Sequence, residues 1–348
     1  MSPRNSMPNR IQLLTDVREL SHLAYGFMAS KALFAALDLD LFSTLADGPK
    51  SAESLEAESG VAANRLATLL AALVATGLLG REGDLFVNSP VAARYLVKGA
   101  PNYFGDYYRL QIDKQVYPSW QQLGNGLRGL PTRSVYDLIQ DDHEAQLFSH
   151  AQHQGSTGPA ILLSRVVDLS TTTALLDVAG GSGAFSIVLC HRYPGLRSTI
   201  LDFPTVTAVA RRYVEEAGLA DRVEFLSGNA LEMEWPDGTD AILMSYLMSA
   251  VGASDIELLI RRARRALKPG GLLILHDFML DADRSGPRDA ALWLLGSITL
   301  RPDSVSLSAE GLADLAGRYG FTTVTSQVLI PEITKLLVVR APGGAVPA

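Results

Sequence analysis

Residues 175–186, LLDVAGGSGAFS, constrain this chain more than any other stretch. An apolar run, Ala174 to Val178, climbs to Gly180, Gly181 and Gly183, and a helical apolar pattern follows from Ala184 to His191. That order predicts a strand, a tight glycine turn and a helix, the opening of an α/β nucleotide-binding unit. Glycine accepts positive φ and, without a Cβ, lets a bulky ligand approach the backbone. The helix start behind the turn offers unpaired N–H groups to a carboxylate or phosphate. Dinucleotide enzymes share such a turn, so two further features carry weight. Ser186 fills the third glycine position of a dinucleotide fingerprint. Asp202, 19 residues beyond Gly183, ends the apolar run STIL, where an acidic side chain can hold a ribose diol.

Composition narrows the class. A chain of 348 residues fits two domains. With 47% apolar and 19% charged residues, it has the makings of a soluble protein with a large core. A net charge of −7 supplies no basic excess to neutralise phosphates, so no nucleic-acid partner is expected. The single cysteine, Cys190, excludes an internal disulfide and sits in an apolar helix pattern that suggests packing. The six histidines show no metal-ligand spacing, and no metal is expected. MSPRNSMPNR lacks the apolar core of a signal peptide, and the most apolar segment, residues 66–80, is too short to span a bilayer. The expectation is a cytoplasmic enzyme with no membrane partner.

Residues 1–10 read as disordered. From Ile11 to Leu39 apolar residues recur at helical spacing, among them Leu13, Leu14, Val17, Leu20, Leu23, Phe27 and Met28. So broad a stripe needs a covering surface, and a partner subunit is the candidate. Residues 41–97 predict three helices and a hairpin turning at Glu82–Asp84, with Ser51 as a plain N-cap: a winged-helix pattern. The one basic residue of its longest helix, Arg65, favours a scaffold or dimerisation role over DNA binding. Residues 101–170 read as helical and aromatic-rich (Tyr107, Tyr108, Trp120, Tyr136, Phe148), a region suited to roofing a pocket. Strands are expected at 174–179, 197–202, 222–227, 240–247, 271–279, 321–328 and 333–340. Helices are expected near 184–193, 205–217 and 254–268, the last stopped by KPGG. The tail APGGAVPA reads as frayed. Together these elements make one doubly wound seven-stranded sheet.

LLDVAGGSGAFS, STILDFPTV, FLSGNAL, ILMSYLMS and RRARRALKPGGLLILHDFML follow one another in an order and spacing that resemble the class I S-adenosylmethionine-dependent methyltransferases. The resemblance is closest to small-molecule O-methyltransferases of the caffeate and acetylserotonin type and their bacterial natural-product relatives, and it covers nearly the whole chain. It implies a Rossmann-like methyltransferase domain of seven strands behind an N-terminal α-helical winged-helix dimerisation domain. The expected division is residues 1–105 and 106–348, with 106–170 as a helical linking region. It implies S-adenosylmethionine as cofactor, a homodimer through the N-terminal helices and a small aromatic or polyketide-like substrate. Gly180, Gly181 and Gly183 would line the methionine end with Asp177 beside them. Asp202 would hold the ribose hydroxyls, Phe203 would flank the adenine, and Asn229 and Ala230 would lie beside it. Ser245 falls where plant members carry a lysine, and Ser156 is a candidate for the cofactor carboxylate.

The departure is at the base. Plant members carry a histidine where this chain has Ser249, and a free serine hydroxyl is a poor general base. Three routes stay open. His276, at the end of the fifth strand beside Asp277, is the first candidate for base or orienting group; Asp277 is expected to face the other side of that strand. His153 or His150 can act from the linking helix. Alternatively the substrate is already nucleophilic, as an amine, an acidic phenol or an enol-like carbon; O-methylation is the first expectation and C- or N-methylation the alternative. Gln111 and Trp293 are candidate substrate contacts. An alternative keeps the cofactor without methyl transfer, for decarboxylation, hydroxylation or a pericyclic rearrangement.

Overall fold

A computed structural model of the chain describes residues 13–133, 142–301 and 303–344. Residues 1–10, Tyr136 and the end of the tail lie outside them. The chain divides into two compact units, residues 12–117 and residues 118–348.

The unit of residues 12–117 is built from helices and one hairpin. Helix α1 (Val17–Asp38) starts later than the apolar stripe suggests. Asp16 caps it by accepting from the Arg18 N–H, and the Glu19 carboxylate returns to the Asp16 N–H, so a capping box fixes the start. Helices α2 (Leu41–Thr44), α3 (Ala52–Ser59) and α4 (Ala63–Ala75) follow. Ser51 caps α3 through the Ser54 N–H at 3.3 Å, with no box. Strands β1 (Leu79–Glu82) and β2 (Leu85–Asn88) pair antiparallel, and α5 (Pro90–Tyr95) and a π-helical stretch (Tyr107–Val116) complete the unit. Leu41, Phe42, Leu55, Leu66, Leu70 and Leu73 form its core. The stripe of α1 behaves differently along its length. Phe34, Ala36 and Leu37 are buried, whereas Leu13, Leu14, Val17, Leu20, Leu23, Phe27 and Met28 are exposed.

In the second unit, α6 (Tyr117–Trp120), α7 (Leu123–Leu127) and the long α8 (Asp142–Val166) precede a sheet. Its strands, seven among the described residues, are β3 (Ala174–Val178), β4 (Arg197–Asp202), β5 (Val223–Ser227), β6 (Thr239–Ser245), β7 (Leu267–Asp277), β8 (Thr322–Ile330) and β9 (Thr334–Arg340). Their order is β5-β4-β3-β6-β7-β9-β8. The first five are parallel, and β9 runs antiparallel to both neighbours. Strand alternation sorts the core onto two faces. Leu176, Val178, Ile242, Met244, Leu273 and Leu275 pack on one, and Leu175, Ile200, Ala241, Leu243 and Ile274 on the other. Helices α9 (Ala184–Arg192), α10 (Pro204–Glu216), α11 (Ala253–Ala266), α12 (Arg288–Leu300) and α13 (Ala309–Arg318) complete the fold. KPGG does not separate helix from strand as expected. Helix α11 ends at Ala266, and KPGG lies inside β7, where Gly270 at φ +78° lets the register jump between the Thr239–Leu267 and Ala241–Leu272 pairs. None of the helices among the described residues is long and apolar enough to cross a membrane.

The chain leaves β3 outward to β4 and β5, then returns to place β6 on the other side of β3. That reversal is the topological switch point, where a crevice opens beyond the carboxyl ends of the strands.

Candidate cofactor and methyl-transfer site

The crevice is a cavity of about 360 Å³. Its floor is the turn between β3 and α9. Gly183, at φ +80°, opens α9, and a Cβ there would come within 2.8 Å of Ile200 Cδ1 on β4. Gly180 sits so close to β3 that a Cβ would lie 2.8 Å from the Asp177 carboxyl carbon. The turn therefore presses against the sheet and leaves its outer side free for a ligand.

Two carboxylates flank the turn. Asp177 is fully buried and accepts from Ser186 Oγ at 2.6 Å; Ser186 also shares a hydrogen bond of 2.8 Å with Ser198. The serine in place of a third glycine thus satisfies the strand-end acid. Burial, with the Asp202 charge adding to it, pushes the Asp177 carboxyl up to about 6 against the pull of the Ser186 bond. Asp202 is held by two backbone amides, Gly181 N–H at 2.8 Å and Phe203 N–H at 2.7 Å. Burial raises it to about 6 as well. A carboxylate has about four acceptor positions, so each oxygen of Asp202 keeps capacity for a ligand hydroxyl.

The remaining wall comes from three segments. Asn229 and Ala230 follow β5. The Asn229 side chain accepts from the Leu231 N–H at 3.0 Å and donates to Glu232 at 2.8 Å. Ser245 and Tyr246 follow β6, and α8 contributes Phe148, Gln152 and Ser156. Of the residues singled out as cofactor contacts, Asp177, Gly180, Gly181, Asp202, Phe203, Asn229, Ala230, Ser245 and Ser156 line this one cavity. Gly183 lies behind it, packed on Ile200.

The candidates for proton transfer are placed otherwise. His276 is fully buried at the end of β7, its Nδ1 bonded to Ser245 Oγ at 2.8 Å and its Nε2 to Thr334 Oγ1 at 2.9 Å. Burial drives its pKa down to about 3, so the ring is neutral at physiological pH. Asp277 faces the other side of the strand, as alternation requires, and accepts from the Ser249 N–H at 3.0 Å and the Phe278 N–H at 2.8 Å. Burial raises its carboxyl to about 6. Ser249 lies in a short 3₁₀ turn, Met248–Ala250, and is buried. His153 shares a 3.0 Å hydrogen bond with Ser182 of the glycine turn and stacks on Tyr213 at 4.0 Å; burial lowers its pKa to about 4. His150 bonds the Tyr213 hydroxyl at 2.9 Å. Trp293 stacks on Phe278, which packs on Tyr246. None of His276, Ser249, His153, His150 and Trp293 is among the residues lining the cavity. Gln111 belongs to the unit of residues 12–117, where it is buried in the π-helical stretch with Oε1 unpartnered among the described residues.

Comparison with known proteins settles the family. The O-methyltransferase domain model matches residues 125–322, and the O-methyltransferase dimerisation domain matches residues 21–98. The chain belongs to the O-methyltransferase family. This methyltransferase is 32% identical over 278 residues to a 3-hydroxy-5-methyl-1-naphthoate 3-O-methyltransferase of Streptomyces sahachiroi, covering 78% of this chain and 80% of that one. It is 30% identical over 307 residues to the N,N-dimethyltransferase OxyT of Streptomyces rimosus, covering 85% and 88%. A solved structure of PigF with SAH shares its fold at a TM-score of 0.81 and 26% identity, covering 94% of this chain and all of that one.

The enzyme is an S-adenosylmethionine-dependent methyltransferase, and its residues fit that cofactor. The glycine turn leaves room that a Cβ would fill, and Asp202 offers a fixed carboxylate to a diol. The cavity is also lined by residues that motif reading did not single out, Gln152, Tyr246, Leu247, Val251 and Arg301, and by Phe148 of the aromatic-rich region. Tyr246 carries a signal only in its backbone, a φ of +57° rare for a tyrosine.

Proposed function

We propose that this enzyme transfers the cofactor's methyl group to a hydroxyl of a small aromatic, polyketide-like metabolite, without a histidine base. The observation that carries the reading is the cavity itself. The glycine turn, Asp202 and Asn229 line it together, while none of His276, His153 and His150 does; His276 and His153 stand behind it, bonded to the lining residues Ser245 and Ser182. We assign the methionine end to Asp177, Gly180, Gly181 and Ser156, the ribose to Asp202, and the adenine to Phe203, Asn229 and Ala230, with Ser245 in the facing wall. When bound, the cofactor supplies an activated methyl on a sulfonium; the protein's part is to hold the acceptor in line and exclude water.

His276 has no free ring nitrogen and a pKa near 3, which suits a neutral strut between Ser245 and Thr334 rather than a proton acceptor. Ser249 anchors the turn after β6 to Asp277 and is no base. The acceptor must then be one that ionises readily by itself, such as an acidic phenol or an enol. The naphthoate-acting relative supports an aromatic hydroxyl; the N,N-dimethyltransferase relative supports an amine as the second acceptor class. We assign the exposed apolar residues of α1 to a homodimer contact, in keeping with the dimerisation domain.

The test is mass spectrometry with methyl-labelled S-adenosylmethionine and a series of phenols of graded acidity, each followed across pH. The reading expects a labelled methyl on oxygen and a kcat/KM profile whose midpoint follows the acceptor's own pKa. A midpoint that stays fixed across the series and vanishes in His276→Gln would establish an enzyme base and overturn it. Cofactor binding with rearranged, unlabelled products would instead favour non-methylating chemistry.

A further inference from the structure

The loop after β5 lines the cavity with Asn229, Ala230 and Leu231, and its carbonyl groups need donors. Ala230 O is taken by Trp235 Nε1 at 3.0 Å. Leu231 O and Met233 O are both taken by one guanidinium, that of Arg262 on α11: Nη2 bonds Leu231 O at 2.9 Å, and Nη1 bonds Met233 O. Arg262 does not line the cavity, but Leu259, one turn earlier on the same helix, does, as does Val251 before the helix starts. One side chain thus bolts together the two walls at this end of the cavity, the loop and the helix.

We propose that Arg262 is a positioning residue for cofactor binding: its guanidinium fixes the loop of residues 229–233 against α11 in the shape that receives the cofactor. The proposal rests on the assignment of Asn229 and Ala230 as cofactor contacts. A planar fork suits this work. It spans two carbonyls two residues apart, whereas a lysine ammonium on its flexible stem holds one such geometry less firmly. Within the loop, Leu231 N–H bonds Asn229 Oδ1, and the Glu232 and Met233 N–H groups bond Asn229 O, each at 3.0 Å. Releasing Leu231 and Met233 therefore frees Asn229 as well.

The experiment compares Arg262→Met, Arg262→Lys and the neighbouring exposed Arg261→Met in the full chain. S-Adenosylhomocysteine affinity is read by calorimetry and amide exchange by mass spectrometry. The loss of hydrogen bonds from a charged group predicts about tenfold weaker binding for Arg262→Met. Faster exchange should be confined to peptides covering residues 229–233, and the cofactor KM should rise with kcat at saturation unchanged. Arg262→Lys should recover part of the affinity and Arg261→Met should match the wild type. A general loss of structure would instead accelerate exchange across β6 and β7 and lower kcat, which overturns the proposal, as does unchanged affinity in Arg262→Met. Asp202→Ala and Asn229→Ala are measured alongside. If they too bind normally, the cofactor assignment has failed; if they lose binding while Arg262→Met does not, only the positioning role has.

Discussion

Replacing Gly183 with alanine tests whether the glycine turn is shaped by contact with β4 or only by backbone freedom. At φ +80° an alanine costs about 1 kcal/mol for the left-handed conformation. Its Cβ would stand 2.8 Å from Ile200 Cδ1, inside the fully buried core, and such overpacking costs about 1–3 kcal/mol. The sum, about 3 kcal/mol, corresponds to a fall in Tm of roughly 6–12 °C for a unit of this size. Gly181→Ala shares the positive φ, +57°, but meets nothing within 4 Å, so it should lose only about 1 kcal/mol. Ile200→Val removes the clashing Cδ1 at about 1 kcal/mol by itself. The double variant Gly183→Ala with Ile200→Val should then be more stable than the sum of the singles by about 1–2 kcal/mol. The assay is calorimetric and urea unfolding of all four variants, with separate transitions fitted for the two units. Additivity within about 0.5 kcal/mol would refute the steric argument.

Three other outcomes follow from the same geometry. Asp177 and Asp202 have carboxyl pKa values raised by burial to about 6, so S-adenosylmethionine should bind less tightly as pH falls through 6. The slope should approach tenfold per pH unit for each carboxylate that must be ionised; flat affinity from pH 5 to 7.5 removes them from the site. For stability the sign is opposite. A raised carboxyl binds protons more readily in the folded state, so its favourable share is present below about pH 4 and lost as pH climbs through 6. Asp240 behaves the other way. It accepts from the Thr173 and Ala174 N–H groups, Thr173 Oγ1 and Lys268 Nζ, which hold its carboxyl far below the usual range. That stabilisation is present above about pH 4 and lost below it. Asp240→Asn should cost about 2–3 kcal/mol at pH 7, checked by urea unfolding at pH 7 and at pH 3, where the difference should shrink. Finally, Leu20→Asp with Phe27→Asp, both on the exposed stripe of α1, should convert a dimer into monomers by light scattering without lowering the Tm of the second unit. A variant that stays dimeric would move the subunit contact elsewhere.

The sequence by itself determined most of the elements and which residues gather around the β3 turn. The strand–helix alternation from Ala174 onward was legible because buried parallel strands and amphipathic helices write their periods locally. The β3 turn and Asp202 were legible for a related reason: the chemistry depends on short spacings along the chain and on glycine where no side chain fits. Ser186 could be placed at the third glycine position, yet only the fold shows why a serine serves there, since its partners Asp177 and Ser198 come from two strands. Histidines were the hardest residues to read. His276 stands at a strand end facing the switch point, as a base would, but its two nitrogens are taken by Ser245 on β6 and by Thr334, 58 residues on, which antiparallel β9 brings alongside. Arg262 in RRARRA looks like one cation of a solvated helix face; the carbonyls of Leu231 and Met233 give it its task. Periodicity and turn chemistry are local, so sequence carries them. Which donor meets which acceptor depends on strand order and helix docking, and only the tertiary structure decides that.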